Sequence, residues 1–424
     1  MTIDRCPELL KAAEDAELKG DYDKSLSYLD QALEEGFKTL EVYYARGRVL
    51  REASRLPEAI KSFKKALDIS QASPGSFHHN RLLNEIEICQ GKEVLESKPR
   101  GLGIVLTTRC NLRCIMCNSY KVAWDLPEKT AKEVIDLIPY LQRVMWLGGE
   151  VFLSDYFESL FEEALKNPHI HQTVVTDGLL ITEKWADLLS RANINLTYSI
   201  DSAVPEIYEY IRRGGKFKDI VKSSKLINQV KKTASGNMKT SINCTIMKTN
   251  YKDIGKMADF AIEQGFDDLT LTPVDYIETE ENIFLKRDPK VMSFISERVK
   301  EMEKKLSDAG KEFHNWLPGL QEIEPTPSTK DSSESSDSSI QKEPDLLCYW
   351  PWQHLFIDIG GEVKPHCLCS KKVGNVLDDS IYDIWNNLGM QDYRKRMKNK
   401  DYAGICNAVC LESGIERESM GLSF

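Results

Sequence analysis

Two periodicities divide the chain. Over residues 8–74 apolar positions return at helical spacing, and the pattern repeats after 34 residues. Gly20, Tyr22, Ser25, Leu29, Ala32 and Leu33 recur as Ser54, Leu56, Ala59, Phe63, Ala66 and Leu67. Small residues return where helices must approach closely, and large ones where they fill the groove. The pattern predicts two helix–turn–helix units, with a further helix over 77–90 covering the open apolar face. From about residue 100 the pattern changes. Short apolar or alternating runs at 103–108, 144–150, 171–178, 195–201, 240–247 and 268–273 read as strands, with helical stretches such as 129–141 and 290–309 among them. Such alternation argues for βα units and a parallel sheet.

Strand parity sorts the residues further. In the fourth strand Leu196, Tyr198 and Ile200 share one face, expected under helices, and Thr197, Ser199 and Asp201 share the other, expected toward the lumen. In the fifth, Ser241, Asn243 and Thr245 oppose Ile242, Cys244 and Ile246. Asn243 therefore reads as inward, and Cys244 as a buried structural thiol rather than a hydrogen-atom donor. Residues 324–345 are rich in serine, proline and acidic residues and cannot build a core, which predicts a disordered tether. Beyond it, 356–365 predicts a β-hairpin with a glycine turn and 380–388 a helix. The expected class is α/β, with an all-α helical-repeat domain at 1–95, a β/α barrel at 100–320, a linker at 321–345 and a small hairpin-and-helix domain at 346–424.

A net charge of −10 over 424 residues argues against nucleic acid as the main partner. No run approaches 18 uninterrupted apolar residues, so no membrane span is expected. The first residues lack the charged-then-apolar layout of a signal peptide. Eleven cysteines without an export signal point to metal ligation before disulfides, and to the cytoplasm.

Cys110, Cys114 and Cys117 stand at C-x3-C-x2-C spacing just after the first strand. Thiolates are the usual ligands of iron–sulfur clusters, and three of them leave one iron of a cubane open to chemistry. The other reading is a chance cluster or a fragment of a zinc knuckle, but zinc wants a fourth ligand, and none lies nearby in sequence. Five more cysteines, Cys348, Cys367, Cys369, Cys406 and Cys410, flank the predicted hairpin and could hold a second cluster or a zinc ion. Cys6 and Cys89 read as inert thiols.

The triplet after a first strand resembles the radical S-adenosylmethionine (radical SAM) superfamily. So do Gly148-Gly149-Glu150 after the second strand, Thr176-Asp177-Gly178 after the third (where the family has Thr-Asn-Gly) and Ser199-Ile200-Asp201-Ser202 after the fourth. The resemblance implies a partial (β/α)6 barrel with a [4Fe–4S] cluster on Cys110, Cys114 and Cys117. Its open iron takes the amino and carboxylate groups of SAM, whose one-electron cleavage yields methionine and a 5′-deoxyadenosyl radical that abstracts hydrogen. By the same resemblance Gly148, Gly149 and Glu150 meet the methionine half, Ser199, Asp201 and Asn243 contact SAM, and Arg213 reaches its carboxylate. The turn at Asp177 is read as structural. Met116 stands where the family often has an aromatic residue; a thioether can still cover an adenine edge.

The C-terminal run resembles the SPASM/twitch extension. That implies one auxiliary [4Fe–4S] cluster on Cys348, Cys367, Cys406 and Cys410, with Cys369 as a substitute or left over. The front array resembles tetratricopeptide repeats, which implies either binding of a peptide segment or a docking or dimerisation prop without a ligand. Together these imply an oxidoreductase or maturase that modifies a C–H bond of a peptide or protein by oxidation, crosslinking or epimerisation. The auxiliary cluster would accept an electron or ligate substrate, and a flavodoxin- or ferredoxin-type donor would supply reducing power. The alternative is a dehydrogenase or epimerase of a sugar, cyclitol or other small molecule. No catalytic base is assigned; Asp358 and His366, near the hairpin, read as structural or as proton-transfer groups.

Overall fold

In the computed structural model, residues 5–274, 280–318 and 348–406 are described. The expected linker, 321–345, and Cys410 lie outside them. The chain forms two compact units, one from Met1–Gly103, Pro127–Gln142 and Pro344–Phe424, the other from Ile104–Leu126 and Arg143–Glu343.

The first unit begins with α1 (Arg5–Glu17), α2 (Tyr22–Glu34), α3 (Leu40–Glu52), α4 (Leu56–Ser70) and α5 (Phe77–Gln90). The 34-residue period is visible in the backbone. Gly20 and Ser54 both take left-handed conformations, at φ 72° and 60°, just before α2 and α4. Ser25 and Ala59, Leu29 and Phe63, and Ala32 and Ala66 are equivalent pairs, and all six are fully buried. Side chains cap three of these helix starts: Asp21 accepts from Lys24 N, Thr39 from Val42 N and Ser76 from His79 N.

Helix α5 does more than close the array. Leu82, Ile86 and Cys89 join the helical core, yet Asn80, Arg81, Asn84, Glu85 and Glu87 on its other faces are buried too. Glu85 accepts from Tyr44 Oη (3.1 Å) and Arg100 NH1 (2.7 Å) and pairs with Arg51. Burial pushes its carboxyl up, but the Arg51 and Arg100 charges outweigh that and hold it at about 2. The same unit contains the C-terminal segment. There β8 (His354–Ile357) and β9 (Glu362–Lys364) form the expected antiparallel hairpin, turning through Gly360 and Gly361 at φ 77° and 79°. Asn84 donates to Trp352 O (2.7 Å), Trp352 Nε1 to Lys92 O (2.8 Å) and Trp385 Nε1 to Ser97 O (2.7 Å). Arg394, fully buried, donates to Pro351 O, Glu93 O and Trp385 O at 2.9, 2.7 and 2.7 Å. Segments expected apart in the fold, the front array and the C-terminal domain, are thus knit into one unit.

In the second unit β2 (Arg143–Leu147), β3 (His171–Thr176), β4 (Ile194–Ser199), β5 (Met238–Ile246), β6 (Asp268–Pro273) and β7 (Glu312–Asn315) lie side by side in chain order, every pair parallel. The chain leaving β1 (Gly101–Val105) follows the end of β2, with Leu106 N–H donating to Leu147 O (2.8 Å). Strand β7 was not expected. Its four residues alternate half-buried and exposed without an apolar run, so only pairing with β6 makes them a strand. Within the strands burial follows the parity reading: Leu196, Tyr198 and Cys244 are fully buried and Thr197 and Ser199 half-buried, but Asp201, expected beside the latter two, is buried.

Substituting Glu85→Ala leaves Arg51 and Arg100 buried without their anion and should cost about 3–5 kcal/mol, read as a lowered urea midpoint. A change under about 1 kcal/mol would contradict the assigned role. Because the carboxyl lies below its ordinary 4.5, its contribution is complete above that pH and is lost as pH falls toward about 2.

Candidate active site

Parallel βα architecture gathers loops at the C-terminal ends of the strands, and a cavity of about 180 Å³ opens there. Its lining comes from the loop after β1 (Thr108, Cys110, Leu112, Cys114, Met116, Cys117, Ser119, Tyr120), from Gly148 and Gly149 after β2, from Val175, Thr176 and Asp177 at the end of β3, and from Ser199 and Arg212. The three cysteines lie on the loop after β1, which is held by backbone bonds. Arg113 N–H donates to Arg213 O (2.8 Å) and Ile115 N–H to Ile211 O (3.0 Å). These two bonds flank Cys114 and Arg212, and they register one against the other.

The Gly-Gly turn lies tight against the cysteine loop. Gly149 N–H donates to Thr107 O (2.6 Å) and Glu150 N–H to Arg109 O (2.9 Å). A Cβ on Gly149 would sit 2.5 Å from Arg109 O and 2.7 Å from Thr108 O, so only glycine fits this close approach. Glu150 itself turns away from the cavity and is fully buried. Its carboxylate accepts from Thr176 Oγ1 and Asp177 N, both at 2.8 Å, and so ties the turn after β2 to the end of β3. Burial, then the Asp177 charge, pushes this carboxyl well above its ordinary value.

Asp177 lines the cavity and is 5% exposed. One oxygen accepts from Leu179 N (2.8 Å), while Oδ2 makes no hydrogen bond within the described chain. Across the cavity Arg212 Nε donates to Asp201 Oδ2 (2.6 Å), and NH1 lies 3.9 Å from Cys114 Sγ. Asp201 Oδ1 accepts from Thr245 N (2.9 Å).

The comparisons with known proteins agree with this geometry. A family model described as the Radical SAM superfamily matches residues 104–261, and one described as an iron–sulfur cluster-binding domain, SPASM, matches 348–411. The chain carries a radical SAM domain followed by a SPASM domain. The cofactors of these two domains are a [4Fe–4S] cluster with SAM and auxiliary iron–sulfur ligation. The GTP 3′,8-cyclase of Petrotoga mobilis is 26% identical over 194 residues, 43% of this chain and 58% of that protein. A tungsten-containing aldehyde ferredoxin oxidoreductase cofactor-modifying protein of Pyrococcus furiosus is 22% identical over 71% of this chain and 85% of its own. The chain spans 58% and 40% of the first two cyclases it matches. Among solved structures, Streptococcus suis SuiB bound to S-adenosylmethionine shares the fold at TM-score 0.55 and 18% identity, over 89% of this chain and 87% of that one.

The residues present fit the radical SAM cofactors. Among the described residues, the one set of three potential metal ligands with atoms within 4.8 Å of one another is Asp268, Glu312 and His314, at the opposite strand ends, where Lys239 already pairs with Glu312. The sulfurs of Cys110, Cys114 and Cys117 are not so gathered. A tetrahedral zinc would hold them about 3.8 Å apart, whereas a cubane spreads its ligands over several irons. Asp177 Oδ2, a buried acceptor lacking a partner, suits a cationic donor such as the ammonium of a bound amino acid.

Several expected contacts are placed differently. Gly148, Gly149, Ser199 and Met116 line the cavity, but Glu150, Asp201 and Asn243 do not. Glu150 and Asp201 spend their oxygens on the protein, and Asn243 Oδ1 accepts from Thr272 Oγ1 (3.2 Å). Arg213 is exposed, 5.8 Å from the Tyr210 ring centre; the arginine in the cavity is Arg212. A signal for this existed: Tyr208, Ile211 and Arg212 stand at i, i+3 and i+4 and share one buried face. Asp177, read as a turn residue, lines the cavity. In the C-terminal segment Cys369 pairs across an antiparallel bridge with Cys406, while exposed Cys367 Sγ is 3.6 Å from His366 Nδ1. His366 lies against Trp350 with ring centres 4.1 Å apart and planes tilted by 32°, and Asp358 accepts from Ile359 N, so both have structural partners.

Gly149→Ala should weaken SAM binding at least about tenfold in anaerobic equilibrium dialysis while iron loading persists; unchanged binding would sink the close-approach argument. Before cluster loading, Glu150 contributes most to stability below its ordinary 4.5 and loses that contribution as pH rises through its raised value. Thermal unfolding should therefore fall less steeply toward alkaline pH in Glu150→Gln than in the parent.

Proposed function

We propose that this chain is a radical SAM maturase that modifies a C–H bond of a peptide or protein. The observation that carries the radical chemistry is the convergence of three cysteines, the Gly148-Gly149 turn, Asp177 and Arg212 on one cavity at the strand ends. In this reading Cys110, Cys114 and Cys117 hold a [4Fe–4S] cluster. Gly148 and Gly149 admit the methionine backbone of SAM, Asp177 receives its ammonium, and Arg212 its carboxylate. Met116 and Ser199 bound the space for the nucleoside. Asp201 positions Arg212, and Glu150 positions the glycine turn. When bound, the cluster and SAM supply a 5′-deoxyadenosyl radical from one electron and one SAM. The protein's part is to orient SAM and exclude water, and Leu112 and Val175 give the cavity apolar lining.

Cys348, Cys367, Cys406 and Cys410 are proposed as ligands of an auxiliary cluster, with Cys369 beside Cys406 able to substitute. A peptide substrate is favoured because the fold is shared with SuiB, which has been seen bound to its precursor peptide SuiA at TM-score 0.54. The helical array supplies a surface on which such a substrate could be held, and a flavodoxin- or ferredoxin-type protein would deliver the electron. A small-molecule substrate is the second reading, favoured by the matched cyclases, whose name specifies GTP.

Anaerobic reconstitution tests the first reading. About eight irons are expected in the parent and about four in a Cys110/Cys114/Cys117→Ala triple variant, with 5′-deoxyadenosine formed under reducing conditions by the parent alone. Four irons in the parent, all lost in the variant, would remove the auxiliary cluster. Absence of 5′-deoxyadenosine from fully loaded parent would remove the radical chemistry.

A further inference from the structure

Arg212 does more in this geometry than line the cavity. Arg212 is buried, at 8% exposure, in a position fixed from three sides. The backbone bonds from Ile115 to Ile211 (3.0 Å) and from Arg113 to Arg213 (2.8 Å) register it beside Cys114. Packing of Ile115 and Met116 against Ile211, Met247 and Val274 secures that register. Asp201, itself held by Thr245 N and, through its backbone carbonyl, by Asn250 Nδ2 (2.7 Å), grips Nε from the far side. NH1 is thereby directed at Cys114 Sγ, 3.9 Å away. The arrangement is a fixed dipole with its positive end at one sulfur of the cysteine triplet and its negative end behind.

We infer that Arg212 and Asp201 set the reduction potential of the cluster held by Cys110, Cys114 and Cys117, independently of any contact with SAM. This rests on the reading of that triplet as the radical SAM cluster site. Hydrogen bonds to ligand sulfurs and nearby charge are levers on iron–sulfur potentials. One electron from a low-potential external donor makes the cluster one unit more negative, with no bond formed or broken and no proton moved. A guanidinium at the Cys114 sulfur stabilises that added charge and raises the potential; Asp201 offsets part of the effect. In a buried site the two contributions are weakly screened. They must therefore have opposite signs on removal: neutralising Arg212 lowers the potential, and neutralising Asp201 raises it.

The test is an EPR-monitored potentiometric titration of the full-length reconstituted protein without SAM, comparing parent, Arg212→Met, Arg212→Lys and Asp201→Asn. The site wave is the one missing from the Cys110/Cys114/Cys117→Ala variant; the auxiliary wave serves as internal control. Arg212→Met should make reduction at least about tenfold less favourable, a shift of about 59 mV for one electron, with the auxiliary wave unmoved. Arg212→Lys should recover more than half of that shift. Asp201→Asn should move the site wave the other way. A site wave unmoved in Arg212→Met, or one that moves together with the auxiliary wave, overturns the inference while leaving the radical SAM reading intact. Should Arg212→Met fail to assemble its cluster, Asp201→Asn decides, and a wave unmoved or shifted to lower potential overturns the inference. A parent with no site wave at all would instead overturn the reading of the triplet.

Discussion

The cavity depends on a carboxylate that never reaches it. Glu150 is fully buried between the turn after β2 and the end of β3, accepting from Thr176 Oγ1 and Asp177 N. Pairing of β2 with β3 stops at Trp146 and Val174, and beyond it Glu150 is the side chain that ties the glycine turn to Thr176 and Asp177. The cost is electrostatic. Burial and the neighbouring Asp177 charge both disfavour a second negative charge, so the carboxyl is pushed upward. A buried acid of this kind is a poor source of net stability and a good source of position. The glycine turn needs position, because its backbone already lies within hydrogen-bond distance of Thr107 and Arg109.

The same trade recurs in the other unit. Glu85 among Arg51, Arg100 and Tyr44, and Arg394 among three carbonyls, fill places where apolar side chains would also pack. What the polar groups add is direction, since each fixes which backbone groups may stand opposite it. That explains how a helical array with its own apolar core comes to be joined to the segment carrying Cys348 and Cys367 through α5, a helix buried on polar as well as apolar faces.

Much of the fold was legible in sequence because it is written in local period. The 34-residue repeat placed α2 and α4 in equivalent surroundings, and α5 runs over the expected 77–90. Strands β3 to β6 lie within the runs expected for them or a residue or two outside. Parity alone separated Cys244 from the lumen. The short β7 escaped because its pattern is neither apolar nor cleanly alternating. Of the site, the cysteine triplet was legible from spacing and the glycine pair through the family resemblance, whereas the side chains around them were only partly so. Ser199 lines the cavity as parity suggested, but Asp201, two positions on, lies beyond the end of β4, where strand parity no longer governs direction.

By itself the sequence determined the two periodicities, most of the order of elements and the spacing of the cysteines, since each is a property of neighbours along the chain. Tertiary structure alone decided which of two adjacent arginines enters the cavity, which acids face it and which brace it, and that the first and last segments share one unit. Those outcomes rest on partners far apart in sequence: Glu150 with Thr176, Arg212 with Cys114, Asn84 with Trp352. Charge and hydrogen bonding act through space over a few ångströms. A side chain's role is therefore fixed only once the fold has brought its partners within that distance.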